Sequence, residues 1–281
     1  MTSLVLEGGT FRPIFSAGVM DAFLDNDIML PYVIGVSAGI SYGVSYISKQ
    51  PKRNYDVLIN LRNDKRYIGK NNIIKSKSIF GIDFAFDEVP NKIYPFDWAT
   101  YKEYKGKVLI GVTNALTGRA EYLDGKKMDT KCTMLRASCA IPLMFPKVMI
   151  NNKPYFDGGL ADPIPVRKAI QDGNDKHIII LTRPKEYRKT LTKGNKVAAK
   201  VYKKQYPKLS NVLLNRHTEY NATVRYCEEL ERRGKAIIIR PNKHIESLEK
   251  DVNVLKETYN MGYNMAIENM ERIRKFIGCD Q

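Results

Sequence analysis

The chain has 281 residues, 43% of them apolar, with 46 Lys or Arg against 30 Asp or Glu. Intrinsic disorder is excluded, and at this length one core buries roughly three quarters of the unfolded surface, so a single domain over 1–281 needs neither disulfides nor metal. The net charge of +16 points to a polyanionic partner: nucleic acid, an anionic membrane or a phosphorylated substrate.

The residues from Met1 to Gly9 include no basic side chain and no long apolar run, which argues against a signal peptide. Leu4-Val5-Leu6 reads as a buried strand running into Gly8 and Gly9. Pro13 then opens a helix carrying Phe15, Val19, Ala22 and Phe23 at helical spacing. Ile28 to Ser48 is 21 residues without a charge, long enough to span a bilayer. Pro31, Gly35, Gly39 and Gly43 interrupt it, so it is expected to be a strand over Tyr32–Val36, a turn and a helix, not a transmembrane span. Residues 51–104 are irregular and are expected to form an insertion or lid over the sheet edge.

A third strand is expected at Val108–Val112, with Arg119–Leu123 returning antiparallel to it. Met134, Leu135 and Cys139 mark a helix stopped by Pro142, and Pro154-Tyr155-Phe156 reads as a further strand. His177–Leu181 and Ala236–Ile239 are short, β-branched and unalternating, as a parallel sheet covered on both faces requires. The fold class expected is therefore α/β with a mostly parallel central sheet. From Ile245 to Ile277 the apolar residues keep three- and four-residue steps, which predicts one long amphipathic helix.

Charge and cysteines sharpen the picture. Arg183 to Arg216 holds eleven basic residues against one acid, Glu186, a net +10. Cys132, Cys139, Cys227 and Cys279 show no metal or redox spacing, so they are expected to be reduced thiols in a cytoplasmic protein.

Three places carry chemistry. Gly35-Val36-Ser37-Ala38-Gly39 is a GxSxG pattern between a strand and a helix. Such a turn projects a serine hydroxyl at a helix N-terminus, where amides and dipole favour developing negative charge. Glu7-Gly8-Gly9-Thr10-Phe11-Arg12 is a second glycine turn, whose amides can converge on an oxyanion; it lacks the Gly-Lys-Ser/Thr end of a phosphate loop and the GxGxxG spacing. Asp157-Gly158-Gly159 follows a strand and is by itself an ordinary turn. The only histidines, His177, His217 and His244, have no catalytic context. A nucleophilic Ser37 would therefore turn to a carboxylate as its base.

Taken together, Ser37 in its GxSxG elbow (Gly35, Gly39), the upstream Gly8-Gly9-x-x-Arg12 loop and the downstream Asp157-Gly158-Gly159 resemble the bacterial patatin-like phospholipase family. Residues Ala137 to Pro146 also resemble that family's S-x-A-x-P-x-x-F-P block. The blocks occur in family order from residue 4 to about residue 167. The resemblance implies a three-layer α/β/α sandwich and lipid acyl hydrolysis by a Ser37–Asp157 dyad, with Ser37 as nucleophile and Asp157 as general base. It implies an oxyanion hole at Gly8, Gly9, Thr10 and Arg12, and neither metal nor cofactor.

The loop departs from the family's usual G-G-G-x-[KR]-G. Thr10 replaces the third glycine and disfavours a positive φ, while Pro13 replaces the last and has no amide. Donation is thus expected from Gly8, Gly9 and Thr10, with Arg12 holding the loop or adding charge.

Two other readings stay open: an esterase or thioesterase for soluble acyl substrates, and a non-enzymatic binder of membrane or nucleic acid through the basic segment. Nucleic acid is the weaker of those partners, because no RNP or helix-turn-helix signature accompanies the lysines, and Tyr187, Tyr202 and Tyr206 read as packing. An anionic membrane fits better, with the basic segment holding a peripheral hydrolase on its lipid ester substrate, and a solvated basic face with no partner is the equal alternative. Leu143, Met144 and Phe145 fit either an acyl pocket or the core.

Overall fold

In a computed structural model, which describes residues 1–76 and 78–278, the chain runs β1 (Thr2–Leu6), α1 (Ile14–Leu24), β2 (Tyr32–Val36), α2 (Ser37–Ile47), α3 (Arg53–Leu61) and α4 (Asn72–Ser76). A wide π-type helix over Phe84–Ile93 precedes α5 (Trp98–Glu103), β3 (Lys107–Asn114), β4 (Ala120–Asp124), α6 (Thr133–Ser138), β5 (Val148–Ile150) and β6 (Lys153–Asp157). Then come α7 (Val166–Gln171), β7 (Lys176–Ile180), α8 (Lys193–Tyr202), α9 (Pro207–Arg232), β8 (Ala236–Ile239), α10 (Val252–Glu268) and α11 (Met270–Ile277).

The strands form one mixed sheet, hydrogen-bonded in the order β5-β6-β3-β2-β1-β7-β8, with β4 also on β3. The run from β3 to β8 is parallel, and β4, β5 and β6 are the antiparallel additions. The parallel strands are buried on both faces, which accounts for their continuous apolar runs. Leu4, Leu6, Val33, Val108, Ile178 and Ile180 point to one face, where α1, α2, α10 and α11 cover them. Val5, Ile34, Leu109 and Ile179 point to the other, against α7 and α9. The result is the expected three-layer sandwich.

One detail of register positions the site. Gly111 of β3 pairs with both Val36 and Tyr122, while Val112 pairs with both Glu121 and Asp157. Since β4 occupies one edge of β3 throughout, β2 and β6 must share the other edge end to end. The chain leaves β2 after Val36 at the point where antiparallel β6 ends with Asp157. Ser37 and Asp157 meet there although 120 positions separate them in sequence.

Several expectations are corrected. The single helix over Ile245–Ile277 is two, α10 and α11, because Asn269 leaves helical geometry (φ −100°, ψ 6°) and its side chain donates back to the Met265 carbonyl at 2.8 Å. Residues 245–251 are not helical. That stretch runs alongside the first glycine loop, with Phe11 donating to the Ser247 carbonyl. The helix expected to stop at Pro142 ends earlier, at Ser138. Residues 51–104 are mostly helical, not irregular, and wall a cavity described below. Ile28–Ser48 is strand, turn and helix, as expected, and among the described residues no helix is long and apolar enough to cross a membrane. Cys132, Cys139 and Cys227 are free thiols; Cys279 lies outside the described residues.

Candidate active site

No residue separates β2 from α2, so the chain turns sharply and Ser37 takes φ +54°, a left-handed conformation that a serine adopts only under constraint. Two features hold it. The Ser37 amide donates to the Ser138 hydroxyl at 2.8 Å, and that hydroxyl donates to the Gly111 carbonyl at 2.7 Å, so α6 is tied through one buried side chain to both β3 and the elbow. The second is close backbone packing: a Cβ on Gly39 would lie 2.4 Å from the Glu7 carbonyl oxygen, and one on Gly35 would lie 2.8 Å from the Leu6 Cβ.

The first glycine loop lies against this elbow. A Cβ on Gly8 would stand 2.7 Å from the Ser37 Cβ and 3.4 Å from its Oγ, so only glycine lets the backbone approach the hydroxyl. Among the described residues, nothing accepts a hydrogen bond from the amides of Gly8, Gly9 or Thr10. Thr10 takes φ +58°, so the residue that departs from the glycine pattern does adopt the disfavoured conformation.

Arg12 packs against the loop and ties it to Thr182 and Ser247. Its Nε donates to the Thr182 hydroxyl at 3.3 Å, its Nη1 donates to the Ser247 hydroxyl, and the Thr182 hydroxyl donates to the Gly8 carbonyl at 3.0 Å. The guanidinium fills the space above Gly9, where a Cβ would come within 2.7 Å of Nη2. Burial pushes its pKa down to about 10. Arg12 is thus fixed by Thr182 and Ser247 as a loop anchor.

Asp157 is 3% exposed, and the Ser37 side chain stands close enough to its carboxylate to favour the charged form. Oδ1 accepts the Gly159 amide at 2.8 Å, and the Asp157 backbone is fastened by Thr113 and Ala140. Burial raises its pKa above the usual carboxylate range, while Arg216, the Ser37 side chain, the Gly159 hydrogen bond and Lys189 pull it back. All three histidines lie elsewhere. His177 is buried at the far end of β7 on Ser3, with its pKa lowered to about 4 by burial, and His244 binds Arg183 and Glu246 at the surface. His217, on α9, lines neither of the cavities beside Ser37.

Those two cavities share Thr10, Ser37 and Ile141 as a common border. One, of about 140 Å³, is apolar and runs between α2 and the 51–104 region, past Tyr42, Val57, Phe80 and Phe86. Phe145 lines it, stacked on Phe80 with ring centres 5.1 Å apart, whereas Met144 faces the other cavity and Leu143 is 47% exposed. The other is a polar cleft of about 320 Å³ that holds Asp157, Arg12, Arg183, Lys189 and Arg216. The basic segment is therefore divided: Arg183, Lys189 and Arg216 turn into the cleft, while Lys193, Lys196, Lys200, Lys203, Lys204 and Lys208 are exposed. Tyr187, Tyr202 and Tyr206 pack on other aromatic rings. Among the described residues no cluster of His, Cys, Asp and Glu could hold a metal.

Sequence reasoning missed Ser138, Thr182, Ser247 and Lys189. Ser138 alone had a signal, since it opens the S-x-A-x-P block.

The family model described as patatin-like phospholipase matches residues 4–170. A second, "Domain of unknown function (DUF6363)", matches residues 206–278. The "Uncharacterized protein YjjU" of Escherichia coli (strain K12) is 24% identical over 268 residues, covering 92% of this chain and 74% of that protein. The "Probable lipid hydrolase 463L" of Invertebrate iridescent virus 6 is 27% identical over 196 residues, 62% of this chain and 65% of its own length. Among solved structures, VipD from Legionella pneumophila aligns with 96% of this chain and 67% of that one, at 15% identity and a TM-score of 0.47.

Proposed function

Because the chain belongs to the patatin-like phospholipase family, we propose that it is a lipid acyl hydrolase in which Ser37 and Asp157 act as a catalytic dyad. The observation that carries this reading is the buried Asp157 carboxylate beside Ser37, next to three amides that have no acceptor among the described residues. Ser37 Oγ attacks the ester carbonyl as its proton passes to Asp157, and the Gly8, Gly9 and Thr10 amides receive the oxyanion. Collapse breaks the ester C–O bond, and the departing alcohol takes the proton from Asp157. Water then attacks the acyl-serine, giving its proton to Asp157; the bond from the acyl carbon to Oγ breaks, Asp157 returns the proton to Ser37 and the fatty acid leaves. Burial of Asp157 serves this step, since a raised pKa makes the carboxylate a stronger base. The apolar cavity beside Ser37 suits an acyl chain. The exposed lysines of α8 and the start of α9 suit peripheral contact with an anionic bilayer.

A serine-reactive phosphonate should label the wild type and fail to label Ser37→Ala. Ser37→Ala and Asp157→Asn should each lose ester hydrolysis by at least about 1,000-fold while keeping the fold by circular dichroism. Full activity in either folded variant would overturn the dyad. Hydrolysis confined to short soluble esters, with no lipid cleaved, would favour the esterase reading instead.

A further inference from the structure

The polar cleft is more cationic than a hydrolytic dyad requires. Arg12, Arg183, Lys189 and Arg216 line it against two carboxylates, Glu7 and Asp157. Both carboxylates are already engaged: Glu7 accepts the Thr182 amide with Tyr220 beside it, and Asp157 accepts the Gly159 amide with Ser37 beside it. Arg216 is held by the Gly159 carbonyl at 2.9 Å and Arg183 by the Ile245 carbonyl and His244. The Lys189 ammonium has no ion pair among the described residues; it lies 4.2 Å from the centre of the Tyr220 ring, and its backbone is clamped by Asn221. Burial, with Arg216, Arg12 and Arg183 nearby, brings its pKa down to about 7, the mark of positive charge without enough compensation. Among the described residues that line the apolar cavity on the other side of Ser37, Arg53 is the one that is charged.

Resting on the proposed hydrolase reading, we propose that this cleft is a subsite for a phosphate on the alcohol half of the ester. The enzyme then selects lipids whose head group is a bare anionic phosphate over zwitterionic ones. With the acyl chain in the apolar cavity and the carbonyl at Ser37, the alcohol projects into the cleft, where Lys189 and Arg183 meet its phosphate. A choline head group would bring its own cation against four others, which costs binding at the distances of a narrow cleft.

The test uses short-chain phosphatidic acid and phosphatidylcholine of equal acyl length, both kept monomeric so that no membrane surface contributes. Wild type should favour the phosphatidic acid by about tenfold or more in kcat/KM, chiefly through KM, since about 1.4 kcal/mol corresponds to tenfold. Lys189→Met and Arg183→Gln should each bring that ratio toward one; a ratio within one preparation is insensitive to partial loss of folded enzyme. Inorganic phosphate should raise KM for phosphatidic acid by competition. Equal cleavage of the two lipids by wild type overturns the subsite and leaves the hydrolase reading standing. Phosphate that alters cleavage of a neutral aryl ester without competing with phosphatidic acid makes the cleft a free-anion site and also overturns it. Absence of cleavage together with absence of Ser37 labelling removes the hydrolase reading itself, and the subsite with it.

Discussion

Ser138 shows at the scale of one side chain how the site is kept in shape. Its hydroxyl is fully buried and bridges two backbone groups, accepting the Ser37 amide and donating to the Gly111 carbonyl. Ser138→Ala removes both bonds and leaves the buried Ser37 amide without its acceptor, a loss of about 1–3 kcal/mol by the usual cost of such a group. It also frees Ser37 from its left-handed φ, so kcat on a soluble ester should fall more than tenfold while KM changes little. Denaturant unfolding and steady-state kinetics measure the two effects, and an unchanged kcat would mean that the elbow holds itself. Ser37, Gly8 and Gly9 stood out in the sequence because glycine turns between strand and helix tolerate few residue types, whereas Asp157 stood out only through its place among the family's blocks; the fold brings the four together. Ser138 was marked only as the opening of the S-x-A-x-P block, and Thr182, Ser247 and Lys189 were not legible, since a polar residue 100 or more positions away carries no local mark of what it will reach.

Elements differ in legibility for the same reason. Buried parallel strands demand unbroken β-branched runs, so β2, β7 and β8 could be read almost to the residue. The break between α10 and α11 could not, because apolar spacing continues across Asn269. α10 packs on α1 with unusual closeness: a Cβ on Gly18 would lie 2.1 Å from the Tyr259 carbonyl oxygen, and one on Gly262 would lie 2.0 Å from that of Phe15. That contact buries Asp21, whose carboxylate accepts the Tyr259 hydroxyl at 2.7 Å and the Lys52 amide at 2.8 Å. Burial nonetheless dominates and raises its pKa from 3.8 to about 6. A carboxylate shifted upward contributes most to stability when protonated in both states, below its unfolded pKa, and that contribution is lost as pH rises through the folded value. Stability of the wild type relative to Asp21→Asn should therefore fall between about pH 4 and pH 6, by up to about 3 kcal/mol at two pKa units and 1.36 kcal/mol each. Unfolding free energies of both proteins across that range provide the measurement; a constant difference would place the Asp21 pKa near its ordinary value.

For the whole molecule, the question is where a net charge of +16 acts. Part of it is internal, in the cleft beside Ser37. The rest of the basic segment forms an outer face: α8 and the start of α9 expose Lys193, Lys196, Lys200, Lys203, Lys204 and Lys208, none in an ion pair among the described residues. Val197 and Val201 stand among them, 53% and 58% exposed, and α8 joins the cleft through Thr192 and Asn195. Lysines around exposed apolar side chains, beside the cleft that holds Ser37, are what a surface resting on an anionic leaflet needs. Each lysine near such a leaflet is worth about 1 kcal/mol, and that attraction fades as the screening length shortens from about 10 Å at 0.1 M salt to about 3 Å at 1 M. Hydrolysis of anionic vesicles should therefore drop at least tenfold over that salt range, while hydrolysis of a neutral, monomeric aryl ester stays within about twofold. Reversing three of the outer charges, Lys196→Glu, Lys200→Glu and Lys203→Glu, should weaken vesicle co-sedimentation and flatten the salt response. If salt slowed the neutral ester as much as the vesicles, the sensitivity would belong to the catalytic cleft, and the outer face would have no part in reaching the substrate.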